Sequence, residues 1–185
     1  DDMISDLANN TIKHKDCERL MSMEEMLSMI EQLLVAGNET TTSATTGGML
    51  SLIQLSDQMQ HLLDNPEVID NAVEEILRLE SPSAGIWRVV TCDTEVRGVK
   101  IPKGSLLNLR YAAANRDENV FEDPEKMDVC RHNADDNIAF GYGTHFCPGA
   151  MLGRKEMQVA FSRLLQRLTN IRLAEGKNDL AHWPN

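Results

Sequence analysis

The sequence predicts a mainly α protein with a small β-sheet. Three observations carry that prediction. Apolar residues recur at helical spacing in stretches near 22–55, 66–80 and 148–168. Between the second and third stretch, short β-branched runs alternate with glycine and proline turns. The composition is that of a globular domain, 42% hydrophobic and 25% charged over 185 residues, enough chain to bury a core.

The first helix is expected from Ser22 to Leu55. Ser22 followed by Glu25 makes a capping box. Met26, Met29, Ile30, Leu33 and Leu34 form an apolar stripe. Gly37 and the run Thr40-Thr41-Thr42-Ser43 are poor mid-helix residues. A hydroxyl at Thr40 reaches the carbonyl of Ala36, four residues back, which is expected to open the helix locally.

The second helix is expected to start at Asn65-Pro66, with an asparagine cap and proline in the first turn. Ile69, Ala72, Val73, Ile76 and Leu77 give its apolar face, and Ser81-Pro82 ends it. Glu75 and Arg78 lie three apart and share a side. Strands are expected at Trp87–Thr91, Thr94–Val96, Val99–Ile101 and Ser105–Leu109.

The last helix follows Phe140-Gly141-Tyr142-Gly143-Thr144-His145-Phe146-Cys147-Pro148-Gly149. Its apolar positions are 157, 160, 161, 164, 165 and 168, and Pro148 suits its first position. Cys147 at a helix N-terminus gains from the dipole and free amides, which stabilise a thiolate. Cys17, Cys92 and Cys130 read as small buried hydrophobes. The four cysteines form no CxxC pair and have no zinc-finger spacing.

The net charge of −11 argues against nucleic acid as a partner. Basic residues still gather after the cysteine: Arg154, Lys155, Arg163 and Arg167, the last two sharing a helix face. No segment is apolar and long enough for a membrane span, and no signal peptide opens the chain.

Three motifs in this order, Ala36-Gly37-Asn38-Glu39-Thr40, Glu75-Ile76-Leu77-Arg78 and the F-G-x-G-x-H-x-C-x-G run, resemble the cytochrome P450 family. The G-x-H-x-C form and the run from Arg88 to Gly98 are similar to soluble bacterial members. The resemblance extends from about Met21 to Trp183.

It implies the C-terminal part of that fold: oxygen-binding helix, ExxR helix, β-sheet, meander, cysteine loop and following helix. Residues 1–185 are then a partial domain lacking the N-terminal half and the C-terminal end, and the location is cytoplasmic. The implied cofactor is heme b (iron protoporphyrin IX). The implied activity inserts one atom of O2 into a small hydrophobic substrate, with electrons from a ferredoxin or flavoprotein reductase that docks on the basic face.

By the same resemblance Cys147 ligates the iron, and Phe140, Gly141, Ala36 and Gly149 line the cofactor. Arg88 and His145 meet its propionates. Thr40 holds dioxygen and its water, and Glu39 relays protons. Glutamate stands here where aspartate is the commoner family residue. Arg131 completes a buried structural network with Glu75 and Arg78. Ser83–Trp87 border the substrate pocket. Peroxide-driven or isomerase-type relatives use the same loop, and a chain inactive in isolation is a third reading.

Overall fold

The computed structural model describes residues 2–14 and 16–176, so the Trp183 end of the resemblance lies outside the described residues. The chain divides into two compact units, Asp1–Glu39 and Thr40–Asn185.

In the first unit, helix α1 (Met3–Asn9) is capped by Asp2, whose carboxylate accepts from the Ser5 amide at 2.9 Å. An antiparallel hairpin follows, β1 (Thr11–His14) and β2 (Cys17–Leu20). Neither α1 nor this hairpin was legible as an element in the sequence. Helix α2 (Met23–Gln54) begins here and continues into the second unit.

The expected capping box is present. The Ser22 amide donates to Glu25 Oε2 at 2.8 Å, and the Glu25 amide donates to Ser22 Oγ at 3.2 Å. Arg19 grips the same carboxylate through both terminal nitrogens at 2.7 Å. That guanidinium, then the Ser22 amide, pull the Glu25 carboxyl down to about 2.

Two expectations for α2 need correction. The helix is unbroken through Gly37 and Thr40. Hydroxyl back-bonding occurs further along the same helix, from Thr45 to the Thr41 carbonyl at 2.7 Å and from Thr46 to the Thr42 carbonyl at 2.8 Å, and the helix stays continuous through both. Such bonds add to the helical ladder without opening it. The stripe is also largely uncovered: Met26 and Ile30 are half-buried, while Met29, Leu33 and Leu34 are exposed. An apolar stripe is buried only where another layer covers it, and none of the described residues of the first unit covers Met29, Leu33 or Leu34.

The second unit carries the core. Ala44 and Leu52 of α2, Leu62 of α3 (Ser56–Asp64), and Ala72, Val73, Ile76 and Leu77 of α4 (Ile69–Glu80) pack with Met157 and Phe161 of α6 (Ala150–Arg167). Met127, Val129 and Ala139 close this cluster from the irregular stretch before α6.

Helix α3 was not legible as a separate element. The entry to α4 also differs from expectation. Pro66–Val68 form a short 3-10 turn, and the Asn65 side chain caps nothing at its start. Its amide instead donates to the His61 carbonyl at 3.0 Å, satisfying the end of α3. At its far end α4 stops as expected, on Ser81 in the left-handed region at φ 39°.

The β structure is split into two-stranded antiparallel sheets. Strand β3 (Ile86–Val89) pairs with β6 (Leu106–Leu109), placing Arg88 opposite Leu107. Strand β4 (Thr94–Val96) pairs with β5 (Val99–Ile101), turning at Arg97-Gly98, both with positive φ. The one-turn helix α5 (Tyr111–Ala114) leads into the meander.

Candidate functional site

The cysteine loop is built by backbone geometry. Gly141 and Gly143 have φ of 75° and 78°, which glycine adopts at no steric cost. At Gly141 a Cβ would also meet the Tyr111 hydroxyl at 3.4 Å. A short 3-10 turn spans Gly143–His145, and the Cys147 amide donates to the Phe140 carbonyl at 3.0 Å. The loop is thereby closed on itself with Cys147 half-buried at its end.

Helix α6 begins two residues later than Pro148 suggested, at Ala150 with Gly149 as its cap. Proline therefore precedes the helix and stiffens its approach. The Ala150 amide donates to the Cys147 carbonyl at 3.2 Å, and Gly149 lies 3.8 Å from the sulfur, measured to an added Cβ. The thiol thus stands just before the N-terminus of an 18-residue helix, where the dipole favours an anion.

Beside the loop lies a cleft of about 660 Å³. Tyr142, Thr144 and His145 line it from the loop, and Arg88, Arg110 and Ile138 are among its other walls. Two guanidinium groups and an imidazole on one largely apolar cleft suit a flat apolar group bearing carboxylates. A half-buried thiol at a helix start suits its metal. The donor set fits haem.

Among the described residues no three His, Cys, Asp or Glu side chains stand close enough to hold a metal ion.

Thr40 is half-buried and lies in the same unit as the loop. Ala36 and Glu39 are exposed within the first unit. Its neighbour Thr41 comes close to the cysteine region: a Cβ on Gly153 would lie 3.7 Å from Thr41 Oγ1 and 3.8 Å from the Phe140 ring. These are ordinary contact distances, so α6 packs against Thr41 and Phe140 at Gly153 with room for a methyl group.

Glu75, Arg78 and Arg131 come together in the core. Arg78 holds Glu75 through Nε at 2.7 Å and Nη2 at 2.9 Å, and both side chains have no exposure. Arg131 Nε reaches both Glu75 oxygens at 3.1 Å. The Asp128 amide adds a further bond to Glu75 at 2.9 Å. The spare guanidinium protons go to carbonyls: Arg78 to Asn115, Pro124 and Lys126, Arg131 to Glu122, Asp123 and Lys126. Arg78 also stacks 5.0 Å over Phe121.

Asn115, fully buried, was not foreseen. It donates to Ser81 Oγ at 2.9 Å and accepts from the Ile138 amide at 2.8 Å, tying the end of α4 to the run that enters the cysteine loop. One asparagine in a polar stretch gives no sequence signal for that role.

The other cysteines are a correction. Cys17, Cys92 and Cys130 are all exposed, because they sit in a hairpin, a turn and the meander surface. Cys130 Sγ lies 3.1 Å from His61 Nε2. Of the basic group on α6, Lys155, Arg163 and Arg167 are exposed, while Arg154 is engaged by Glu74.

No described helix is long and apolar enough to cross a membrane.

Comparison with known proteins shows what the chain is similar to. The cytochrome P450 family model matches residues 54–178. The chain is 42% identical, over 90% of its length and 41% of the relative's, to cytochrome P450 107B1 of Saccharopolyspora erythraea. It is 40% identical to the vitamin D(3) 25-hydroxylase of Pseudonocardia autotrophica, over 92% of this chain and 42% of that one. Among solved structures, it superposes with a TM-score of 0.86 on the Bacillus subtilis cytochrome P450 of bacillaene polyketide synthesis, at 38% identity, covering 94% of this chain and 44% of that one. The chain spans about two fifths of the length of these relatives.

Proposed function

The chain belongs to the cytochrome P450 family, a membership that implies a haem cofactor, and from it we propose a haem-thiolate monooxygenase acting on a small hydrophobic substrate. The observation that carries this reading is the closed glycine loop presenting the half-buried Cys147 at the start of α6, beside a cleft bearing Arg88 and His145.

The bound haem supplies oxygen activation, and a thiolate ligand donates electron density that favours O–O cleavage. Cys147 would hold the iron as a thiolate at the start of α6. Arg88 and His145, which line the same cleft, would meet the propionates. Phe140, Gly141 and Gly149 would shape the sulfur side and keep water from it, and by the family resemblance Ala36 would line the cofactor. Thr40 positions a proton donor through its hydroxyl, and Glu39 relays protons from solvent. Glu75, Arg78 and Arg131 fix the meander and through it the entry to the loop. Lys155, Arg163 and Arg167 form the surface for a ferredoxin or flavoprotein reductase.

Turnover of the haem-loaded protein with a reductase system tests the oxygen chemistry. Thr40→Ala is expected to keep haem but divert electrons into hydrogen peroxide. Product formed at unchanged coupling removes the proton-delivery role. Turnover with peroxide alone, and none with the reductase, overturns the donor-dependent reading.

A further inference from the structure

A carboxylate with no part in the scheme above sits between the two flanks of the Cys147 loop. Glu74 is next to Glu75 on α4, yet it faces a different set of partners. Its Oε1 accepts from Arg154 Nε at 2.5 Å and its Oε2 from Arg154 Nη2 at 3.1 Å. The same Oε2 accepts from Asn137 Nδ2 at 3.0 Å. Asn137 enters the loop and Arg154 lies on the first turns of the helix that leaves it. One side chain on α4 therefore grips both ends of the loop.

The grip reaches further. Arg154 Cζ stands 4.5 Å over the centroid of the Phe140 ring. Phe140 in turn accepts the Cys147 amide on its carbonyl. A guanidinium is planar, so a bidentate carboxylate fixes its plane and the stack it can make. The Glu74 side chain is only 14% exposed, which limits competition from water. An arginine without this carboxylate is free to leave the ring for solvent.

We propose that Glu74 is a positioning residue: through Arg154 and Asn137 it holds Phe140 and the loop in the geometry that sets how strongly the Cys147 sulfur binds its metal. This rests on the reading of Cys147 as the haem ligand.

The test uses haem-loaded protein and the variants Glu74→Gln, Arg154→Leu and Arg154→Lys. Three quantities are read: the reduction potential, the fraction of the reduced carbon monoxide adduct lacking thiolate ligation, and the melting temperature. Arg116→Met, which removes an ion pair to Glu125 and bonds to the Leu79 and Ala112 carbonyls without touching Glu74, Asn137 or Arg154, serves as the control for general destabilisation.

Glu74→Gln and Arg154→Leu are expected to shift the potential and to raise the non-thiolate fraction about twofold or more, as loss of a group orienting a metal ligand does. Arg154→Lys keeps the charge without the fork and falls between them and the wild type. It also carries the test if the leucine variant does not fold. The control melts lower with an unchanged spectrum. Wild-type potential and spectrum in all three variants, with only the melting temperature lowered, overturns the proposal and leaves Cys147 as ligand. A wild-type protein without a thiolate adduct removes both.

Discussion

Two arginine–glutamate pairs in this molecule have the same chemistry and opposite surroundings. Arg19 and Glu25 form a two-pronged pair at the start of α2, with side chains 36% and 38% exposed. Arg78 and Glu75 form a two-pronged pair inside α4, with none of either side chain exposed. In the first, water solvates both ions with or without the contact, so the pair adds little. In the second, each ion depends on the other and on the surrounding amides and carbonyls for its solvation. Geometry alone does not set what an ion pair contributes.

The largest test of that contrast is at Glu75. Glu75→Gln leaves Arg78 and Arg131 buried without their anion. Denaturant unfolding is expected to show a loss of about 3–5 kcal/mol. A loss below about 1 kcal/mol, the range of a surface pair, would erase the distinction. A double-mutant cycle with Arg131→Met sharpens it, because residues in one network are expected to be non-additive.

A smaller effect is expected at Asn115, which serves the same core without a charge. Asn115→Ala leaves the Ser81 hydroxyl and the Ile138 amide without their partner. Unfolding measurements are expected to show a loss of about 1–3 kcal/mol. An unchanged midpoint would mean that the link between α4 and the loop entry adds nothing.

The smallest effect belongs to the exposed pair, and pH reveals it. The Glu25 carboxyl sits at about 2 in the folded chain against an ordinary 4.5. A depressed folded value means that its contribution is complete above about 4.5 and is lost as pH falls toward 2. The carboxyl resonance of Glu25 followed by NMR should titrate in the low range, and Arg19→Met should move it up. Titration near 4.5 in the unaltered chain would show that Arg19 does not hold the carboxylate in solution.

The same contrast explains what could be read from the sequence. The Ser22–Glu25 box is local, so spacing alone revealed it. The α4 face, the last three strands expected and the glycine loop were legible for the same reason: period and turn chemistry are short-range. Glu75 and Arg78 are three apart and visible, but their burial depends on a meander segment about fifty residues away.

Glu74 with Arg154 and Asn115 with Ile138 are long-range pairs of common residue types, which no spacing marks. The exposed cysteines mislead in the other direction. A burial preference is an average, and Cys17, Cys92 and Cys130 each lie in a turn, hairpin or surface stretch that overrides it. Pro148 shows how a cap rule can be right in kind and displaced by two residues, since Gly149 takes the cap.

The central claim is that the sulfur of residue 147 binds haem iron. The most direct measurement is the absorption spectrum of the reduced protein under carbon monoxide, recorded for wild type and for Cys147→Ala at equal haem loading. The account predicts a thiolate-type band in the wild type and none in the alanine variant. The same band in both proteins, or in neither, would contradict it.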